Sequence, residues 1–92
     1  MSAVHQILYG KVAEQIVDEA LRANNKFGEQ LEIGDLGWFA VLGEEFGEVA
    51  AHVTKTAIPP ITNPELTPGE LRAELVQVAA VALRWVYVLD NT

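Results

Sequence analysis

The residues best suited to chemistry form a cluster of acids near the middle of the chain. Glu44, Glu45 and Glu48 lie within five consecutive positions, and His52 follows one helical turn later. At about 100° per residue, a helix would place these four side chains within roughly a quarter of its circumference. Carboxylates this close repel each other, and a divalent cation would remove the repulsion. Mg²⁺ and Mn²⁺ prefer clustered carboxylate oxygens, so the cluster is either a metal site or an acidic surface facing water.

A second acidic stretch follows later in the chain. Glu70, Glu74 and Gln77 recur at spacings of four and three, which places them on one stripe of a helix. Large apolar residues such as Val78 lie on the same face as Glu74. An unpaired charge among such groups is very costly, so Glu74 needs a partner. That partner is a metal ion or a basic side chain such as Arg72, Arg84 or Lys55, unless Glu74 lies at a shallow position near the end of the bundle.

Together the two stretches resemble a known signature. EEFGE at residues 44–48 is followed, after 25 residues, by ELVQ at residues 74–77. The pair is similar to the EExxE…ExxD signature of the MazG-like, all-α nucleoside triphosphate pyrophosphohydrolases, and the resemblance covers roughly residues 20–89. The family implies helical subunits that assemble as dimers or tetramers. It also implies Mg²⁺-dependent hydrolysis of a (deoxy)nucleoside triphosphate to the monophosphate and pyrophosphate.

Carried over residue by residue, the resemblance implies that Glu44, Glu45, Glu48 and Glu74 are metal ligands. The family has Asp where this chain has Gln77. An amide oxygen can coordinate a cation but brings no negative charge, so Gln77 should weaken one metal site or remove one metal. The reaction also needs a base for the attacking water. Glu45 and Glu48 are the candidate catalytic residues, with Glu45 the candidate base.

Four further residues are candidate substrate contacts. Lys26, beside a turn at Gly28, could bind a phosphate or simply face water. Gln30 could read a base edge or simply face water, and Trp38 could either stack on a base or pack at the start of its helix. His52 could touch a metal or a phosphate, or be an ordinary surface histidine. The sequence has no Gly-rich phosphate loop, so we expect the triphosphate to be bound through the metal.

Three helical stretches must position these residues. The apolar spacing predicts helices over about residues 2–24, from 35 or 37 to 55, and 67–90. Ser2 is a candidate N-cap. Thr67, Pro68 and Glu70 form a capping-box pattern at the start of the third helix. No β-type alternation of useful length occurs, so we predict an all-α class with three main helices in a single domain, residues 1–92.

The third helix also predicts assembly. From residue 75 to residue 89 it is apolar nearly all round, and such a helix is normally surrounded by others. Two further helices in the same chain can hardly surround it. We therefore expect a homo-dimer or homo-tetramer that completes a four-helix or larger bundle.

Composition narrows the choice of partners and location. Six Lys and Arg against 13 Asp and Glu give a net charge of −7, which disfavours nucleic acid and anionic membrane surfaces as partners. The chain has no cysteine, which excludes disulfides and thiol chemistry. The 15-residue apolar run is too short to span a bilayer, and no signal peptide is apparent, so a cytoplasmic location is expected.

Three functions remain open. The first is a Mg²⁺-dependent pyrophosphohydrolase that clears unwanted nucleotides. The second is a nucleotide- or metal-binding module without turnover, which Gln77 would explain. The third is a structural helical bundle whose acidic face meets a basic partner.

Overall fold

The described part of the chain is entirely helical. A computed structural model describes residues 2–57 and 68–92. It contains α1 (Ala3–Phe27), α2 (Gly34–Ala57) and α3 (Pro68–Asp90). No strand occurs in these residues, so the predicted all-α class with three helices is confirmed.

The first helix begins where the sequence predicts and ends later. Ser2 is the N-cap, and its Oγ accepts a hydrogen bond from the backbone N–H of His5 at 3.2 Å. The predicted end near residue 24 is wrong, because α1 continues to Phe27. Gly28 ends it with a φ of 77° and an N–H bond to the carbonyl of Asn24. Glycine reaches positive φ without a Cβ clash, so the helix runs on to the first residue suited to that conformation.

The other two helices lie close to their predicted ranges. Gly34, with a φ of 73°, begins α2, and Pro68 begins α3. The predicted Thr67 cap, and with it the capping box, lies outside the described residues. Residues 58–67, which separate α2 from α3 in the sequence, are not described.

The third helix packs against both of the others. Within the described residues, α1 and α2 make no close backbone contact with each other. Four side-chain pairs define the helix directions: Arg72 with Gln15 and Arg84 with Asn24 between α3 and α1, and Glu74 with His52 and Trp85 with Asp35 between α3 and α2. Residue numbers rise together in the first two pairs and in opposite directions in the last two. Helix α3 is therefore parallel to α1 and antiparallel to α2.

A small apolar core joins α2 to α3. Trp38 is its largest member, only 1% exposed, and packs with Val81 and Val88. On the other side of α3, Ala20 and Ala23 of α1 are buried. Small residues such as these let two helix backbones approach closely, which brings the polar side chains beside them within reach of α3.

The single chain is open rather than closed. Its radius of gyration is 15.4 Å, whereas a compact chain of this length has about 12 Å. Its accessible surface is 6627 Å², whereas about 5,200 Å² is usual for its mass. Much of the excess is apolar, including Leu75, Leu83 and Val86 on α3. One copy therefore leaves α3 partly uncovered.

The helices of the described residues were compared with the length and hydropathy of a membrane span. None of their helices is both long and apolar enough to cross a bilayer.

Candidate metal and nucleotide site

The two acidic stretches meet where α2 packs against α3. Nε2 of His52 lies 3.1 Å from Oε1 of Glu74, and both side chains are mostly buried. His52 is one helical turn after Glu48, so this contact joins the EEFGE stretch to the ELVQ stretch. The antiparallel packing of α2 on α3 produces the contact.

Two carboxylate oxygens in this region are buried without a partner. Oε2 of Glu45 and Oε2 of Glu74 accept no hydrogen bond within the part of the chain that the structure describes. Leaving a buried acceptor without a donor is unfavourable, and for a charged group the cost is greater. Both oxygens are therefore suited to a cation or to a ligand that donates hydrogen bonds.

The negative charge of the cluster changes the pKa of Glu45. Burial raises its pKa, and the negative charges of Glu48, Glu44, Glu74 and Glu19 raise it further, in that order. Two of these neighbours lie on other helices, so the cluster draws on all three. A positive ion beside Glu45 would be favoured by every one of these charges.

The acids share an electrostatic environment without forming a finished metal cage. Across residues 2–54 and 69–92, no three His, Asp or Glu side chains are gathered closely enough to hold a metal ion as they stand. Glu44 and Glu48 are exposed on the outer side of α2, whereas Glu45 and Glu74 are partly buried.

A cavity of about 350 Å³ lies between α1 and α2, beside α3. Its polar lining comes from every part of the fold: Glu19 and Arg22 from α1, Gln30 from the connector, Glu45 from α2, and Gln77 and Arg84 from α3. This volume is in the range of small-molecule sites. Gln77, which stands where the MazG-like signature has Asp, therefore lines the same cavity as Glu45.

An ion pair on α1 borders this cavity. Arg22 donates to both carboxylate oxygens of Glu19, at 2.6 and 2.9 Å. These hydrogen bonds hold the pKa of Glu19 below its ordinary value and raise that of Arg22. The pair adds both signs of charge to the cavity wall.

Arg84 holds the α1–α2 connector against α3. Only 6% of it is exposed. Its Nε donates to Oδ1 of Asn24 at 2.8 Å, and its Nη2 donates to the carbonyl of Gly28 at 3.2 Å and to Oε1 of Gln30 at 2.7 Å. The guanidinium also lies over the ring of Trp38, 4.9 Å from its centroid. Burial lowers the pKa of Arg84, and all three of its acceptors are neutral.

Two of the four candidate substrate contacts lie at the site, and two do not. Gln30 lines the cavity and His52 contacts Glu74. Trp38 requires a correction as a base-stacking residue, because its ring is buried in the core beneath Arg84; packing is its role in this structure. Lys26 is not among the residues found to line the cavity, and its Nζ lies 5.2 Å from the ring centroid of Phe27.

Sequence reasoning missed Glu19 and Arg22. Both lie next to Ala20 and Ala23, the small residues through which α1 approaches α3. A Glu-x-x-Arg pair bordering a small-residue stripe was the available signal. This pattern could be interpreted only after the structure showed that the small residues pack against α3.

No protein-family model matches this chain, and no curated protein and no solved structure matches it significantly. The resemblance to MazG-like enzymes therefore depends on the two acidic stretches themselves.

Proposed function

We propose that this protein is a Mg²⁺-dependent nucleotide pyrophosphohydrolase. It would convert a (deoxy)nucleoside triphosphate and water to the monophosphate and pyrophosphate, and so clear non-standard or excess nucleotides. The observation that carries the proposal is the meeting of the two acidic stretches, through His52 and Glu74, beside a cavity lined by Glu45.

The donor set fits a hard divalent cation. Glu44, Glu45, Glu48 and Glu74 would hold Mg²⁺, or Mn²⁺, which has similar ligand preferences, with the amide oxygen of Gln77 as a neutral fifth ligand. The buried, unpartnered oxygens of Glu45 and Glu74 support this assignment. When bound, the metal would supply charge neutralisation for the phosphates and a more acidic water.

Glu45 is the proposed base for the attacking water. A base works best when its pKa lies near the operating pH, and in the metal-free chain burial with neighbouring charges raises the pKa of Glu45. The charge of Glu48 is the largest contribution after burial. Glu48 would thus assist by its charge while also holding metal.

The cavity suits an elongated anionic substrate. Gln77 and Arg84 both line it and are separated by seven residues of α3, a rise of about 10 Å. The phosphates would lie at the acidic end with the metal. The nucleobase of the substrate would lie toward Arg84 and Gln30.

Assembly as a homo-dimer or homo-tetramer is part of the proposal. Residues 2–15 are exposed along their whole length, although Val4, Leu8 and Val12 form an apolar stripe there. A helical segment this short is marginal alone. The surface excess of roughly 1,400 Å² per chain is more than the about 800 Å² that each partner buries in a standard interface.

A second apolar surface could support a larger assembly. Val17 and Leu21 of α1 and Leu83, Val86 and Tyr87 of α3 line a groove of about 510 Å³. Each of these five side chains is at least 40% exposed in the single chain. Pairing through this groove as well as the α1 stripe would give a tetramer.

Pyrophosphate release from a panel of nucleoside triphosphates, with and without Mg²⁺, tests the activity. We expect release that is lost in EDTA and in Glu48→Gln, but kept in Glu14→Gln, which changes an exposed carboxylate on α1 outside the cluster. Mg²⁺-dependent thermal stabilisation by nucleotide without release would instead favour the binding module, for which the neutral Gln77 argues. No response to metal or nucleotide would leave the structural bundle.

A further inference from the structure

The end of the cavity near Arg84 is built from hydrogen-bond donors. Arginine has donors only, so the atom of Gln30 that accepts its Nη2–H at 2.7 Å is the carbonyl oxygen Oε1. Oε1 of Gln30 is thus engaged by Arg84, and its NH₂ is a donor that a ligand in the cavity could use. Asn24 also uses its Oδ1 to accept from Arg84, through Nε, but it lines the neighbouring groove between α1 and α3.

The arrangement is held in place by burial and by the backbone. Arg84 is at least nine-tenths buried and has no carboxylate partner among the described residues, so its donors are directed at neutral oxygens. Gln30 has a φ of 57°, in the left-handed region that is unfavourable for a residue with a Cβ. The bond to Arg84 offsets that strain and limits rotation of the Gln30 amide.

The acceptors that Arg84 contacts are already engaged. The carbonyl of Gly28, which could have accepted from a ligand, already accepts from Arg84. Apolar side chains from α2 and α3, including Val41 and Val81, line the cavity beside Gln30. The carboxylates of Glu19 and Glu45 line it as well, but the first is paired with Arg22 and the second belongs to the acidic cluster.

We propose that this end selects bases that present a carbonyl, and rejects those that present an amino group at the same position. The inference rests on the proposed function, which places a nucleotide in the cavity. Uracil, thymine, guanine and hypoxanthine would pair their keto oxygen with the NH₂ of Gln30. Adenine and cytosine would bring an amino group against donors, leaving both sides unpaired.

Matched nucleosides provide the test. Inosine and adenosine differ at a 6-keto or 6-amino group, and uridine and cytidine differ in the same way at position 4. We expect calorimetric titration of the full chain to give at least about tenfold tighter binding of inosine and uridine, equivalent to one paired against one unpaired group. Nucleosides carry no phosphate, so this binding does not need the metal.

Two variants of one residue link any preference to the Gln30 amide. Gln30→Glu replaces NH₂ by an acceptor of the same shape and should shift preference toward adenosine and cytidine. Gln30→Met removes the polar group and should abolish preference without adding charge. Gln6→Glu, on the exposed part of α1, is the matched control and should bind like the parent. Equal affinities in the parent, an amino-base preference, or no binding of inosine and uridine would each overturn the inference.

Hydrolysis of ITP, ATP, UTP and CTP separates this inference from the function on which it rests. Equal hydrolysis of all four, without base preference in binding, would leave the function and remove the inference. A keto preference in nucleoside binding without any Mg²⁺-dependent hydrolysis would remove the function and leave a selective binding site.

Discussion

At the scale of the residue, Glu45 links the acidic cluster to stability. Burial and then the nearby charges, that of Glu48 first, raise its pKa in the folded chain. The folded state therefore binds a proton more readily than the unfolded state. Ionised Glu45 lowers stability above its folded pKa, and this loss disappears as the pH falls below the ordinary value of 4.5.

Glu45→Gln should consequently stabilise the protein at pH 7 in the absence of metal. The expected gain in the free energy of unfolding is about 0.2–0.5 kcal/mol for each like-charge pair removed from the helix. The gain should vanish well below pH 4.5, where Glu45 is protonated in both states. Urea unfolding at several pH values measures it, with Glu14→Gln as the control. A difference that does not depend on pH would contradict this account of the cluster.

Gln77→Asp tests the position at which this chain departs from the MazG-like signature that it resembles. An added carboxylate beside Glu45 should tighten Mg²⁺ binding by about tenfold, because affinity for hard cations rises with ligand charge. Turnover should be equal or faster. Calorimetric titration with Mg²⁺ measures the affinity, and Gln6→Asp adds the same charge far from the site. Unchanged or weaker Mg²⁺ binding would place residue 77 outside the ligand set.

At the scale of the element, α3 organises the fold because, among the described residues, it is the helix that packs against both others. The connector at residues 28–33 has little backbone bonding of its own, with one bond from Ile33 N to Gln30 O at 3.4 Å. Arg84 supplies the stronger bonds, and thus joins α3 to the end of α1 and to the connector.

Arg84→Met should therefore lower the free energy of unfolding by about 2–4 kcal/mol. Three acceptors would lose a charged donor, and methionine would only partly refill the space. Amide hydrogen exchange over residues 28–33 should also become faster. Arg72→Met is the matched control: Arg72 is exposed and donates to Gln15, so about 0.5 kcal/mol or less is expected. Equal losses in the two variants would show that Arg84 does not hold the connector.

At the scale of the whole molecule, exposed apolar surface is the dominant feature. The radius of gyration and surface area both exceed those of a closed chain of this size. Residues 2–15 are exposed on all sides. A second copy covering the apolar stripe of α1 would account for both the large radius of gyration and the large surface area of the single chain.

Sedimentation analysis should accordingly give a mass at least twice the 10.0 kDa of one chain. Leu8 is 54% exposed and lies in the α1 stripe. Leu8→Glu should at least halve the assembled mass, because a charge would be buried at the contact. Gln6→Glu, on the opposite side of the same helix, should not. A parent protein of 10.0 kDa at all concentrations would refute the assembly.

Much of the fold was decided by local features of the sequence. The apolar periodicity of each helix, the Ser2 cap and Pro68 at the first helical position all act within a turn or two, so they could be read without a partner. The two acidic stretches were equally visible, since helical geometry places Glu44, Glu45 and Glu48 on one arc. The end of α1 was misplaced because Asn24 and Asn25 resemble a helix end, whereas the backbone turns only at Gly28.

The composition of the cavity was decided by tertiary structure alone. Whether Gln30 or Lys26 faces the cavity, and whether Trp38 is open or covered, depends on the direction in which α3 crosses the other helices. Glu19 and Arg84 come together across more than 60 positions of sequence because Ala20 and Ala23 let α1 approach α3. Local patterns specify what each helix can present, but only packing between helices specifies what each side chain meets.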